Sequence, residues 1–511
     1  MSRLLLACGS LSRRCSAIGL IAFGFALAAP AAALAQDDAE QPGSAPGSGA
    51  RNVSAFQAAV AIEGAMVDAI AKAEKSVVAI ARVRRQDDQP LDLSVNQFGR
   101  LQITELASPG TPEFIPNEYA TGVVVGADGL ILTANHVLQE NCDYWVTTPD
   151  RRIFKVVRVK GADPRSDLAV LQVEATDLVP ITFGDASKLK KGQIVLALGN
   201  PYAIARDGQA SASWGIIANL TRKDGPSLDS GNPKPALHQY GTLIQTDARL
   251  NLGTSGGALL NLQGEMMGLT VSLAAASGYE QSAGFAIPVD ETFLRAVQTL
   301  KAGREMEYGF LGVAVNALAL MDRQSGRHGV LVTAVVGATP AKQFGVKDGD
   351  LITHVDGQPI YDQDQFMLAI GKLPADGQAL LTVEREGNVR KVEIGALAKY
   401  FVPEGRIVTA PKPAWRGMQI DYVTATRNFQ SWSQMGDLDP QGSVLVTEVA
   451  ESSPAWNEGL RPDMRITHVN GERVASPREF AERVAGATGP VKLKVYDREN
   501  KHPEHTIPPE A

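Results

Sequence analysis

The C-terminal part of the chain repeats itself, and this narrows its architecture more than any other feature. Val330–Thr333 (VLVT) recurs as Val444–Thr447, Pro340-Ala341 as Pro454-Ala455, and Gly345 as Gly459. Ile352–Gly357 (ITHVDG) recurs as Ile466–Gly471 (ITHVNG), and Phe366 as Phe480, all at one constant offset. Self-similarity at a fixed offset means that one supersecondary unit was built twice. Each copy reads as strand, strand, short helix, hairpin, helix, strand. The proline-bearing stretch Phe401–Trp415 separates the copies, and the second carries an extra loop, Asn428–Pro440.

Upstream of Gly309 the pattern is different. Thr121–Thr133 (TGVVVGADGLILT) alternates around Asp128-Gly129, a strong hairpin signal. Short strands follow at Asp143–Thr147, Ile153–Val159, Ala169–Val173, Gln193–Leu198, Ser213–Asn219, Thr242–Thr246, Gly264–Val271 and Ala283–Ile287. Such spacing predicts a β-barrel or sandwich, closed by a helix over Asp290–Lys301. Before it lie an alanine-rich helix starting from Ser54 and a strand at Ser76–Arg82. Arg84–Tyr119 holds charges and prolines without a sustained period and reads as a long surface loop.

Residues 1–35 combine Arg3, Arg13 and Arg14 with an apolar run from Ala17 to Ala29, broken by Pro30. Ala33-Leu34-Ala35 then fits a small-x-small cleavage site, so a signal peptide and export are expected, with an uncleaved anchor as the alternative. Residues 36–52 are Gly/Ser/Pro/Ala-rich and read as a flexible linker. Export leaves Cys142 as the lone cysteine, so no intramolecular disulfide is expected. No Cys/His cluster suggests a metal, and no cofactor is expected. A net charge of −7 offers no basic field for nucleic acid.

The chemistry centres on Gly253-Thr254-Ser255-Gly256-Gly257, within QTDARLNLGTSGGALLN. A serine among glycines allows close backbone approach to a substrate and a sharp turn. That geometry can aim two N–H groups at the oxygen of an attacked carbonyl. The serine needs a base, and the base needs an orienter. His136 follows a strand end (LILTANH), and only His238 competes with it in the first 300 residues. Asp167 sits at a loop-to-strand junction before Leu168–Val173. Taken singly, a histidine such as His136 is more often structural than catalytic, and Asp167 reads equally as a turn aspartate. Together with Ser255 they give the chain order His, Asp, Ser of chymotrypsin-type proteases. The G-x-S-x-G match to an α/β-hydrolase elbow fails, because a strand follows Ser255 where a helix is required, and no histidine occurs between Ser255 and His328.

At these residues the chain resembles the HtrA/Deg family of trypsin-like serine proteases. The matching segments are TGVVVGADGLILTANHVL, SDLAVLQV, GNPY, QTDARLNLGTSGGALLN and GFAIPVD, and the two repeats look like the PDZ domains that follow the protease in that family. The resemblance implies a mainly β chain: a chymotrypsin-like double β-barrel over residues 53–303, then PDZ domains over 306–400 and 415–511, joined by a linker at 401–414. It implies His136 as general base, Asp167 as its orienter, Ser255 as nucleophile, and the N–H groups of Gly253 and Ser255 as oxyanion hole. Phe310-Leu311-Gly312-Val313 looks like a carboxylate-binding loop for peptide C-termini. The counterpart in the second repeat, read as Gly417-Met418-Gln419-Ile420, is less typical. Thr254 and Ala258 stand where the family commonly has asparagine and proline. The family implies an exported, periplasmic, ATP-independent endopeptidase for unfolded or misfolded proteins, assembled as a homotrimer or larger. It also implies that Arg84–Tyr119 is a regulatory loop and that Leu273–Ala283 borders the specificity pocket. A catalytically silent or weakly active PDZ-containing chaperone or scaffold is the alternative.

Overall fold

Strands that bury one apolar face leave unpaired edges in an open sheet, and closure removes them. The computed structural model describes residues 55–85, 93–95, 101–103, 118–200, 208–222, 242–271, 284–402, 405–496 and 503–510. The leader and linker at 1–52, His238, the segment 273–283 and most of the 84–119 loop lie outside the described residues.

The first barrel contains β1 (Val77–Arg84), β2 (Glu118–Gly126), β3 (Leu130–Ala134), β4 (Cys142–Thr147), β5 (Ile153–Asp163) and β6 (Leu168–Val173). They neighbour one another in the cyclic order β1-β2-β3-β6-β5-β4. The second contains β7 (Ile194–Gly199), β8 (Ser211–Arg222), β9 (Leu243–Thr246), β10 (Ala258–Leu260), β11 (Met266–Val271) and β12 (Gly284–Pro288). Its order is β7-β8-β9-β12-β11-β10, the same permutation. The stretch expected as one strand at Gly264–Val271 starts with a turn, since Gly264 has φ +72 and β11 begins at Met266. The helix α1 (Ala55–Ala73) packs Ala69 and Ala73 into the core but leaves Phe56, Val60 and Val67 exposed. After the barrels, α2 (Glu291–Lys301) is capped by the Asp290 side chain, which accepts from the Phe293 N–H at 2.9 Å. Its buried face is Phe293, Ala296, Val297 and Leu300, the spacing of one helical stripe.

Both repeats form sheets of one topology. In the first, Val313–Ala317, Val330–Val335, Leu351–Val355, Ala379–Arg385 and Asn388–Ile394 are neighbours in that order. In the second, Met418–Tyr422, Val444–Val449, Arg465–Val469, Val491–Val495 and Glu504–Ile507 follow suit. The helices α3 (Gln363–Lys372) and α4 (Pro477–Val484) bury the paired Phe366 and Phe480 in separate cores. Burying one such ring stabilises by about 1.5–3 kcal/mol.

The proline-bearing segment between the repeats contributes a strand. Ile407–Val408 pairs with Ala162 and Gly161 of β5, and the N–H groups of Thr409 and Ala410 both donate to the Gly303 carbonyl at 2.9 Å. The chain thus passes β5 at Gly303 after α2, builds the first repeat, and returns to the same place. Lys399, only 3% exposed, ties this junction together through Asp421 at 2.8 Å and Glu305 at 3.1 Å. A buried cation needs partners of this kind to stay charged.

Candidate active site

Asp167 sits in a four-residue turn, 164–167, between the paired ends Asp163 of β5 and Leu168 of β6. Its φ of +54 is the left-handed conformation that Asp tolerates better than most residues. The side chain, 1% exposed, grips His136 twice. One carboxylate oxygen accepts the His136 backbone N–H at 2.8 Å, and the other lies 2.7 Å from Nδ1. The Asp167 carbonyl accepts from the Asn135 N–H at 2.9 Å. His136 itself occupies a 3₁₀ turn, Asn135–Val137, at the end of β3. Burial disfavours its charged form, yet the hydrogen bond and the negative charge of Asp167 outweigh burial and raise its pKa above the ordinary imidazole value; the Arg82 cation opposes them. Nδ1 facing a carboxylate leaves Nε2 as the basic nitrogen.

Ser255 lies between β9 and β10, at the equivalent place in the second barrel that His136 holds in the first: after the third strand. Gly253 and Gly256 adopt φ +94 and +87 around it. The loop is pinned by threonines. Thr121 of β2 donates its N–H to the Ser255 carbonyl at 2.9 Å and its hydroxyl to the Gly253 carbonyl at 2.7 Å. The same hydroxyl accepts from the Asn200 N–H at 2.8 Å. Thr270 donates to the Thr254 carbonyl at 2.6 Å, while the Gly256 N–H donates to the Thr270 carbonyl at 2.8 Å. Thr254, the residue that departs from the family's asparagine, closes the turn by donating its hydroxyl to the Asn251 carbonyl at 2.7 Å. Among the described residues, the Gly253 N–H has no hydrogen-bond acceptor.

A Cβ on Gly256 would lie 2.1 Å from the Thr121 carbonyl oxygen and 2.3 Å from Thr133 Oγ1. Thr133 is three residues before His136, so Gly256 seats the serine loop against the strand that delivers the histidine. The structure therefore joins His136 and Asp167 directly, and brings the Ser255 loop to the same strand pair. Thr121 and Thr133 lie in the TGVVVGADGLILTANHVL segment, but nothing in that pattern gives them a role at the site, and Thr270 and Arg82 stand in none of the matching segments. Arg82, 6% exposed, donates to the Val137 carbonyl at 2.9 Å and pairs with Glu118, which secures the turn bearing His136.

In the first repeat, Leu311 is buried in the core and Gly312 has φ +88, with Thr339 where a Cβ would be. Phe310 packs between Tyr400 and Phe429, with ring centroids 6.2 and 5.9 Å away. Val313–Ala317 ends its sheet, so among the described residues one edge pairs with no strand. In the second repeat Gly417, at φ +84, meets Ser453 as Gly312 meets Thr339, and Met418 pairs with Val449 as Val313 pairs with Val335. The loop equivalent to Phe310–Val313 is therefore Trp415-Arg416-Gly417-Met418, two residues earlier than the sequence suggested. The Met418 N–H donates to the Trp415 carbonyl at 3.0 Å, and the Arg416 guanidinium serves the carbonyls of Ile507, Ala487 and Gly489.

The chain matches the trypsin-like peptidase domain over residues 120–269 and the PDZ domain over residues 309–395, the first repeat alone. A "Probable periplasmic serine endoprotease DegP-like" of Marinomonas sp. (strain MWYL1) is 31% identical over 389 residues, 75% of this chain and 77% of the relative. A protein of the same description from Pseudomonas fulva (strain 12-X) is 32% identical over 368 residues, 71% and 72% of the two chains. A solved structure, "HtrA-type protease AlgW with tripeptide", is 25% identical with a TM-score of 0.49, covering 66% of this chain and 98% of that one.

Proposed function

The chain belongs to the DegP-like serine endoproteases of the HtrA family, and from that premise we propose that it is exported to the periplasm and degrades misfolded or unassembled proteins without ATP. It is a serine endopeptidase with a mainly β, double-barrel protease unit and a PDZ domain. The observation that carries the proposal is the two-point grip of Asp167 on His136, with the Ser255 loop pinned to the neighbouring strand. Ser255 Oγ attacks the scissile carbonyl, His136 Nε2 takes its proton and returns it to the leaving amine, and Asp167 fixes the imidazole tautomer. The N–H groups of Gly253 and Ser255 receive the developing oxyanion. The protease unit spans 53–303, the second repeat (415–511) is a second PDZ domain, and residues 1–35 are the export signal. The assembly is a homotrimer or larger.

The mature protein is expected to cleave reduced, unfolded casein faster than a native globular protein, unaffected by EDTA, and to be labelled by a fluorophosphonate. Inhibition by EDTA without probe labelling would sink the assignment. Binding of casein without cleavage or labelling would identify a scaffold instead.

Phe310–Val313 and α3 form the groove for peptide C-termini, the peptide adding to the edge of Val313–Ala317 that pairs with no strand and displacing the Gln363 side chain from the Val315 carbonyl. A hydrophobic peptide with a free C-terminal carboxylate should bind at least about tenfold more tightly than its amide, a charge-assisted hydrogen-bond loss of 1.5–3 kcal/mol. Equal affinity in a titration would show that the loop does not read the carboxylate.

A further inference from the structure

The turn that carries Asp167 is held from outside the barrel as well as from within it. A non-glycine residue at φ +54 persists only where its surroundings over-determine it. The barrel supplies the pairing of Asp163 with Leu168. Inside the turn, one Asp163 oxygen accepts the Ser166 N–H at 2.9 Å and the Ser166 hydroxyl at 2.5 Å. The same oxygen accepts the hydroxyl of Tyr308, which belongs to the segment entering the first repeat. Tyr308 is 1% exposed, and burial with the Asp163 charge holds its phenol protonated as a donor.

Arg165, in the middle of the turn, is 4% exposed and lies between two rings. Its guanidinium carbon is 4.3 Å from the Tyr308 centroid and 3.8 Å from that of Tyr400. A planar guanidinium stacks on aromatic faces in this way, and desolvation makes the attraction worth more than at a surface. Tyr400 comes from the segment leaving the first repeat, and its N–H donates to the Tyr308 carbonyl at 2.8 Å. The backbones that bear the two rings are therefore tied to each other, and the turn's Arg165 guanidinium is held between the rings. Tyr400 also touches Phe310.

We propose that Arg165, Tyr308 and Tyr400 are positioning residues for Asp167, so that the entry and exit segments of the first repeat complete the protease's charge-relay geometry. The inference rests on the reading of Asp167 as the orienter of His136. Loosening the clamp lets the turn relax from φ +54 and lengthens the carboxylate–imidazole contact, which costs turnover and not substrate binding. A misplacement of about 1 Å at a catalytic group is worth up to about 10²-fold in rate.

The test uses the full chain and initial rates on unfolded casein across pH. Tyr308→Phe keeps ring and volume but removes the donor to Asp163; Arg165→Met keeps the stem but removes the guanidinium. Each should lower kcat about tenfold with KM within about twofold, and shift the acid limb of the kcat profile to lower pH, because His136 loses part of its carboxylate support. Tyr400→Leu should behave likewise, and Tyr400→Phe, which keeps the ring face, should restore activity. Arg385→Met removes the ion pair with Asp350 inside the first repeat, away from the turn, and should leave kcat and the acid limb unchanged. Normal kcat and acid limb in folded Tyr308→Phe and Arg165→Met overturn the proposal, as does an equal effect of Arg385→Met. The underlying triad reading fails separately: in that case Asp167→Asn itself would be active.

Discussion

Asp167→Asn lowers kcat on an unfolded substrate by about 10⁴-fold in a chain that still folds, the size of effect known for the orienting aspartate of the chymotrypsin-type triad. The change is nearly isosteric, but it puts an amide where a carboxylate now accepts from both the His136 N–H and Nδ1. With the amide oxygen still accepting the His136 N–H, the amide NH2 can only donate to Nδ1, so the ring is left with its proton on Nε2, the nitrogen that would receive the Ser255 proton. Ser255→Ala takes turnover to background, and combining it with Asp167→Asn makes matters no worse, because the members act as a unit. The pH dependence has a definite sign. The His136 pKa is raised in the folded protein, so the pairing stabilises fully below the unfolded value of about 6.5, and that contribution is lost as pH rises through the folded value. Asp167→Asn should accordingly destabilise more at pH 5.5 than at pH 8.5 in thermal melts. Near-normal turnover in folded Asp167→Asn would make Asp167 a turn residue and nothing more.

Gly256→Ala should abolish activity and destabilise the fold by at least about 3 kcal/mol, placing it among the severe single substitutions. Two costs combine. Alanine at φ +87 is strained, by about 1 kcal/mol relative to glycine. Its methyl would also sit 2.1 Å from the Thr121 carbonyl oxygen and 2.3 Å from Thr133 Oγ1. Neither neighbour is a flexible side-chain end: one is backbone and the other donates its hydroxyl to that same carbonyl at 2.8 Å. The loop must lift away from β2, breaking the Thr121 bonds to Ser255 and Gly253 together. Denaturant melts and fluorophosphonate labelling read the two effects. A labelled, fully stable Gly256→Ala would show that the close approach to Thr121 does not hold the serine loop. Gly192, which has φ +87 but open space around it, is the control: alanine there should incur the conformational cost only.

Half of the proposed site is legible in the sequence. His136, Asp167 and Ser255 announce themselves because each stands in a local motif whose spacing survives without tertiary context. Thr121 does not, since its bonds to Gly253 and Asn200 join residues 132 and 79 positions apart, and an alternating strand threonine looks like any other. The same holds for Arg165, whose partners Tyr308 and Tyr400 are supplied by flanks of a different domain. In the repeats, the constant offset fixed the sheet from Val330 onward and its partner from Val444. It does not reach the second loop, because the Asn428–Pro440 insertion breaks the period before Val444, and that loop, read as Gly417–Ile420, is Trp415–Met418. The insertion itself proved to have a partner: its helix Phe429–Gln434 sets Phe429 against Phe310.

The return of Ile407–Val408 to β5 also has a meaning in time. The barrel strands are all synthesised by Pro288, yet Ile407–Val408, which pairs with Ala162 and Gly161, arrives more than a hundred residues later. Contacts so distant along the chain form late, because the closure entropy of the intervening loop must be met first, and folding of the first repeat shortens that loop. Tyr400 lies just ahead of this strand, so on that order the clamp proposed for the Asp167 turn would close after the barrels, and a lag between barrel closure and the onset of activity during refolding would report it.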